Sequence, residues 1–206
     1  MKIQSLVQAG NKPGKFIALF EDGTEIKVST TQIADFGLYT GRELTEDEQI
    51  TLLQALAMST SKTRALRTLG NRNLSAREVE RRLVGKGEPQ EIAQETVRWL
   101  ESIGAINDEE YAATIAKHYC AKGYGLARIK DELYRRGIPR EIWDDALCGL
   151  DNIGEAAYDF LEKKLSGSRD KTDLRRATEA LVRRGFSYDE ARTVINQYLE
   201  NNDENV

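Results

Sequence analysis

One histidine, two cysteines and three prolines stand in 206 residues, and each scarcity removes a class of function. His118 and Cys120 do not share a helix face, so together they make at most half of a metal site. Cys120 and Cys148 form no Cys-x-x-Cys pair, and in a reducing compartment both are expected to be small buried hydrophobes. No apolar run approaches the roughly 18–20 residues needed to cross a bilayer. The opening MKIQSLVQAGNK lacks the apolar stretch of a secretory signal, so a cytoplasmic location is expected. GNKPGK at 10–15 lacks the spacing and the Ser/Thr of a P-loop. KDEL at 130–133 is an address only at a chain's C-terminus and has no meaning here. No nucleophile is placed with a base, so no catalytic residue, metal site or cofactor is expected. The few prolines suit long helices.

What is present begins with strands. FIALF, EDGT and EIKVS at 16–29 read as a β-hairpin whose Asp22-Gly23 turn uses glycine for a positive φ. Residues 2–8 offer a third strand, 30–37 a short helix, and Thr45 with Glu48 a capping box opening a helix to about residue 58. Ser59-Thr60-Ser61 is expected to interrupt or bend that helix.

Beyond residue 60 the pattern is helical and repeats. Leu83, Leu133 and Leu181 recur at intervals of 50 and 48 residues, and Gly87, Gly137 and Gly185 keep step. Val79, Ile129 and Ala177 stand four residues before the leucines, on the same helix face. The glycines fit left-handed helix closures. A third helix then opens in each unit, with Pro89 or Pro139 in its first turn or with a Ser187/Glu190 capping box. Ile92, Ile142 and Ala191 align along these helices, as do Thr96, Ala146 and Ile195, and Leu100, Leu150 and Leu199. An earlier helix precedes each pair, at about 60–69, 108–121 and 153–165. The expected fold is therefore mainly α: three tandem three-helix repeats in an elongated curved array, preceded by a small β-hairpin and helix unit. The boundaries are 1–58, 59–107, 108–152 and 153–206. Units this small share a core by stacking.

The net charge of −4 hides an alternation. Residues 61–86 hold 8 basic and 2 acidic side chains, 87–116 hold 1 and 7, 117–140 hold 7 and 2. The sequence continues with none and 7 in 141–162, 8 and 3 in 163–184, and 1 and 5 in 185–206. Each repeat has a basic middle helix and an acidic last one. Arg128, Arg135 and Arg136 match Arg176, Arg183 and Arg184, while repeat one offers Arg77, Arg81 and Arg82 and departs at Glu78 and Gly85. These arginines are either solvated helix faces favoured by the dipole or a spaced stripe for phosphate or acidic protein. A helix-turn-helix reading would put the acidic last helix in the major groove, where phosphate repels it, so sequence-specific DNA reading is rejected.

LGNRNLSAREVERRLVGKG at 69–87 and KGYGLARIKDELYRRGI at 122–138, in three tandem three-helix units, resemble the RecX family of recombinase regulators over about residues 60–200. The resemblance implies a non-enzymatic, monomeric protein that binds RecA recombinase filaments on single-stranded DNA and restrains their activity in recombination and repair. It implies a basic surface facing the filament, for which Arg77, Arg81, Arg82, Lys122, Arg128, Lys130, Arg135, Arg136, Arg175, Arg176, Arg183 and Arg184 are the candidates. Tyr124 fits either a core position or a hinge-side anchor. The alternative is a helical-repeat adaptor that binds protein without nucleic acid.

Overall fold

The computed structural model describes residues 1–10, 13–70, 72–150 and 152–203, and it falls into two compact units that divide after Arg67.

The first unit carries three antiparallel strands in the order β1-β2-β3: β1 (Ile3–Gln8), β2 (Lys15–Phe20) and β3 (Glu25–Ser29). The β2–β3 turn closes on Gly23 at φ 84°, and Asp22 accepts the Thr24 amide at 3.0 Å. Ile17 pairs with Val7 and Lys27, Ala18 with Leu6 and Ile26. Ile3, Ala18, Phe20 and Val28 are buried with Leu38, Leu44 and Leu52. Ser29 and Gln32 form a reciprocal capping box opening α1 (Thr30–Asp35). Thr45 and Glu48 cap the start of α2 (Glu46–Leu69). Helix α2 runs unbroken through Ser59, Thr60 and Ser61, contrary to the expected interruption, so the helix expected at 60–69 is its final turns. Hydroxyls return to the helix's own carbonyls, Thr63 to Ser59 at 2.9 Å and Thr51 to Asp47 at 2.8 Å, and the helix absorbs them.

The second unit contains α3 (Ala76–Val84), α4 (Gln90–Ser102), α5 (Asp108–Ala121) and α6 (Leu126–Arg136), then a 3-10 turn (Arg140–Ile142). It continues with α7 (Trp143–Cys148), α8 (Ile153–Leu165), α9 (Lys171–Arg183) and α10 (Tyr188–Asp203). The periodic residues are where the spacing puts them. Val79, Ile129 and Ala177, with Leu83, Leu133 and Leu181, all have zero exposure. Gly87, Gly137 and Gly185 take φ of 88°, 73° and 92°. The last helix of repeat two is the exception to the pattern. It is broken into the 3-10 turn and the six-residue α7, with the Trp143 indole N–H bonded to the Ile138 carbonyl at 3.1 Å. Cys120 is buried and its thiol pKa is pushed up by that burial, whereas Cys148 is exposed, which corrects the expectation of two buried cysteines. Cys148 ends the short α7, where little packs over it.

Candidate functional site

The basic helices of the three repeats abut end to end. At the second joint, the Gly125 amide donates to the Arg184 carbonyl at 2.9 Å and the Ala127 amide to the Gly185 carbonyl at 3.1 Å. Ala127 is the second residue of α6, whose amide has no partner inside its own helix. The carbonyls that close α9 thus cap the start of α6, and the negative end of one helix dipole meets the positive end of the next. A side chain would block this approach: a Cβ on Gly185 would lie 2.4 Å from the Arg128 nitrogen, and one on Gly125 would lie 2.4 Å from the Gly185 oxygen. The first joint has the same plan. Ser75, the N-cap of α3, donates its hydroxyl to the Arg136 carbonyl at the end of α6, and Gly137 packs on the Arg77 side chain.

Each joint is locked by the arginine at one repeat position. At the first, Arg136 Nε donates to Glu132 at 2.8 Å, with Glu78 at 4.0 Å and the Tyr111 hydroxyl hydrogen-bonded. The guanidinium also lies 5.6 Å from the centre of the Tyr111 ring. Burial pushes the Glu132 pKa up, but the hydrogen bond and charge of Arg136, with Tyr119 and Arg135, outweigh it and hold the carboxyl below its usual value. Asp108 accepts the Ala76 amide at 2.9 Å, capping α3. Burial first, then the charge of Glu78, raises its pKa against that hydrogen bond. At the second joint, Arg184 Nη1 donates to the Lys122 carbonyl at 2.7 Å and the Gly123 carbonyl at 3.3 Å. It lies 3.9 Å from the Phe160 ring centre and 4.7 Å from that of Tyr124. Lys86 holds the equivalent position in repeat one and reaches Thr68 at 3.2 Å.

The candidate arginines and lysines therefore separate into three groups. Arg136 and Arg184 are half-buried brackets whose hydrogen-bonding capacity is largely used inside the unit, not the surface residues at helix ends that the sequence reading makes of them. Arg128, Arg135, Arg175, Arg176 and Arg183 pair with carboxylates of their own helices at 3.1–4.0 Å while their side chains stay 40–81% exposed. Such exposed pairs contribute little and leave the cation accessible. Arg77, Arg81, Arg82, Lys122 and Lys130 are exposed and form no ion pair among the described residues. Glu78, which interrupts the arginine pattern of repeat one, caps α3 and faces Arg136. Tyr124 is neither fully buried nor free, held between Arg184 and the Tyr119 ring, 5.4 Å away. Sequence reasoning missed Ser75, Asp108, Tyr111 and Glu132. The signal for one of them was present: Glu132 precedes Arg136 by four residues on one face.

Among the described residues, no group of three or more His, Cys, Asp or Glu side chains could hold a metal ion, and no helix is long and apolar enough to cross a membrane. The class so defined is a tandem three-helix repeat protein that presents cations along abutted middle helices. Residues 107–147 match the family model described as RecX, second three-helix domain. A regulatory protein RecX of Xanthomonas axonopodis pv. citri is 32% identical over 141 residues, covering 66% of this chain and 86% of that one. A crystal structure of regulatory protein RecX superposes with a TM-score of 0.76 at 20% identity over 95% of this chain and 98% of the other. RecX from Lactobacillus salivarius gives 0.64 at 25% identity over 70% and 97%. The chain belongs to the RecX family of regulatory proteins.

Proposed function

We propose that this chain is a non-catalytic, monomeric, cytoplasmic regulator that binds RecA recombinase filaments on single-stranded DNA and restrains their activity, using the cationic faces of α3, α6 and α9. Family membership supports the class of partner. The observation that carries the site is the end-to-end contact of the three basic helices, which sets their exposed arginines along one structural element. The repeats at 59–107, 108–152 and 153–206 then act as successive contact modules. With a net charge of −4, the protein favours a mixed partner of protein and nucleic acid over free duplex.

The test is co-sedimentation with RecA filaments assembled on single-stranded DNA with a non-hydrolysable nucleotide. Alanine at Arg77, Arg81, Arg82, Arg135 and Arg183 leaves both brackets in place. This variant should keep its helical signal and bind more weakly. Each lost contact to single-stranded phosphate should flatten the log–log salt slope by about 0.7. Equal affinity and slope in variant and wild type would refute the site. Turnover of nucleotide or DNA by the purified protein, abolished by one substitution, would refute the non-catalytic reading.

A further inference from the structure

Ten large apolar side chains are exposed among the described residues, and three of them occupy one position of the repeat: Val84, Tyr134 and Val182, exposed by 38%, 63% and 42%. Each directly follows the fully buried leucine of its middle helix. Val84 borders a groove of about 350 Å³ with Arg77, Glu80, Arg81 and Gln90. A neighbouring groove of about 520 Å³ shares Arg77 and Glu80 and is walled on its far side by Tyr134, Ile138, Pro139 and Arg140. The exposed face of α3 therefore continues across the first joint onto α6. On α9, Val182 stands beside Arg183 and seven residues after Arg175, two cations whose side chains are 70% and 81% exposed.

The free charge around these apolar side chains is positive. The Glu80 carboxylate accepts from the Gln90 amide and Asp108 accepts from the Ala76 amide, which leaves Glu141 facing Arg77 and Arg140 across the larger groove. Arg140 lies 6.0 Å from the centre of the Tyr134 ring and 5.6 Å from that of Trp143, and it forms no ion pair among the described residues. An apolar knob ringed by arginines complements an apolar hollow rimmed by carboxylates. Nucleic acid fits less well, because base stacking needs a π-face that valine lacks, and Glu80 and Glu141 repel phosphate.

We propose that Val84, Tyr134 and Val182 are apolar anchors, one per repeat, that seat in acid-rimmed hollows on the protein subunits of the filament. This rests on the filament reading above and assigns these three side chains to the recombinase and not to the DNA. Three equivalent anchors suit a partner that presents the same hollow more than once, as a polymer does. Tyrosine is the residue type in which binding energy concentrates at such surfaces, so Tyr134 should dominate.

The experiment measures affinity for RecA filaments on single-stranded DNA, and for bare single-stranded DNA, across a salt series. Tyr134→Ala should weaken filament binding about tenfold or more, and a triple variant with Val84→Ala and Val182→Ala should weaken it further. Both should keep the wild-type salt slope, helical signal and affinity for bare DNA, and Tyr134→Phe should bind like wild type. A triple variant that binds filaments like wild type would overturn the anchors while leaving the filament reading intact. An equal loss on bare DNA would overturn them in favour of base stacking. Wild-type protein that fails to bind the filament would remove the filament reading itself.

Discussion

Replacing Arg136 by alanine separates a bracket from a surface cation. The Glu132 residue it covers is 7% exposed. The Arg136 nitrogen sits 2.8 Å from that carboxylate, while Arg135 approaches from the solvent side at 3.6 Å. Removing one member of a buried pair costs about 3–5 kcal/mol, because the other charge is left without its partner. The Arg136 side chain is 35% exposed and Arg135 remains, so the expected loss is about 2–3 kcal/mol by that principle. Arg135→Ala, with a side chain 62% exposed, should cost about 0–1 kcal/mol. Urea melts at pH 7 followed by circular dichroism read both values. The pH dependence has a definite sign. The Glu132 pKa is depressed in the folded protein, so its contribution is present above the unfolded value of about 4.3 and is lost as pH falls through the folded value. In the variant, burial acts on that carboxyl with less to oppose it, and protonation relieves the penalty. The gap between wild type and Arg136→Ala should therefore narrow toward pH 4. An Arg136→Ala loss as small as that of Arg135→Ala, or a gap that widens in acid, would refute this account of the joint.

Leu133→Ala, at zero exposure in the core of repeat two, should cost about 2–5 kcal/mol in the same melts. Gly185→Ala and Gly87→Ala both place a side chain at positive φ, which costs about 1–2 kcal/mol. Only Gly185 faces backbone at 2.4 Å, so its substitution should exceed that of Gly87, which has nothing within 4 Å, and equal losses would show that the joint yields easily. Asp108→Asn keeps an acceptor for the Ala76 amide and removes a half-buried charge. Because the folded pKa of Asp108 is raised, its cost is present above that value and vanishes as pH falls to the unfolded one. The variant should match or exceed wild-type stability at pH 7 by up to about 1 kcal/mol and lose that advantage near pH 4.

Leu133, Ile129 and Gly137 could be placed from the sequence because one local rule governs each: i, i+4 burial for the first two, left-handed closure for the third. The Thr45/Glu48 box and the Asp22-Gly23 turn were readable for the same reason, since their partners lie within a few residues. The joints were not. Gly125 reads as a loop glycine until the Gly185 backbone, 60 residues away in sequence, is brought against it. Arg136 and Arg184 look like the exposed neighbours Arg135 and Arg183 in composition and helix position. What separates them is a carboxylate, a phenol or a carbonyl supplied by the preceding repeat. The unbroken α2 was missed by treating serine and threonine as breakers where their hydroxyls bond back to the helix.

The caps at the joints also impose a direction on synthesis. The start of α6 is completed by carbonyls that follow α9, and the N-cap of α3 is tied to the end of α6. A chain emerging from the ribosome therefore makes each middle helix before the segment that finishes it. Repeat two must wait for repeat three before its Gly125 and Ala127 amides are protected. Those two amides should exchange slowly in the full chain and rapidly in one ending at residue 150, and equal protection in both would disprove the dependence. The last repeat made is the keystone of the one before it.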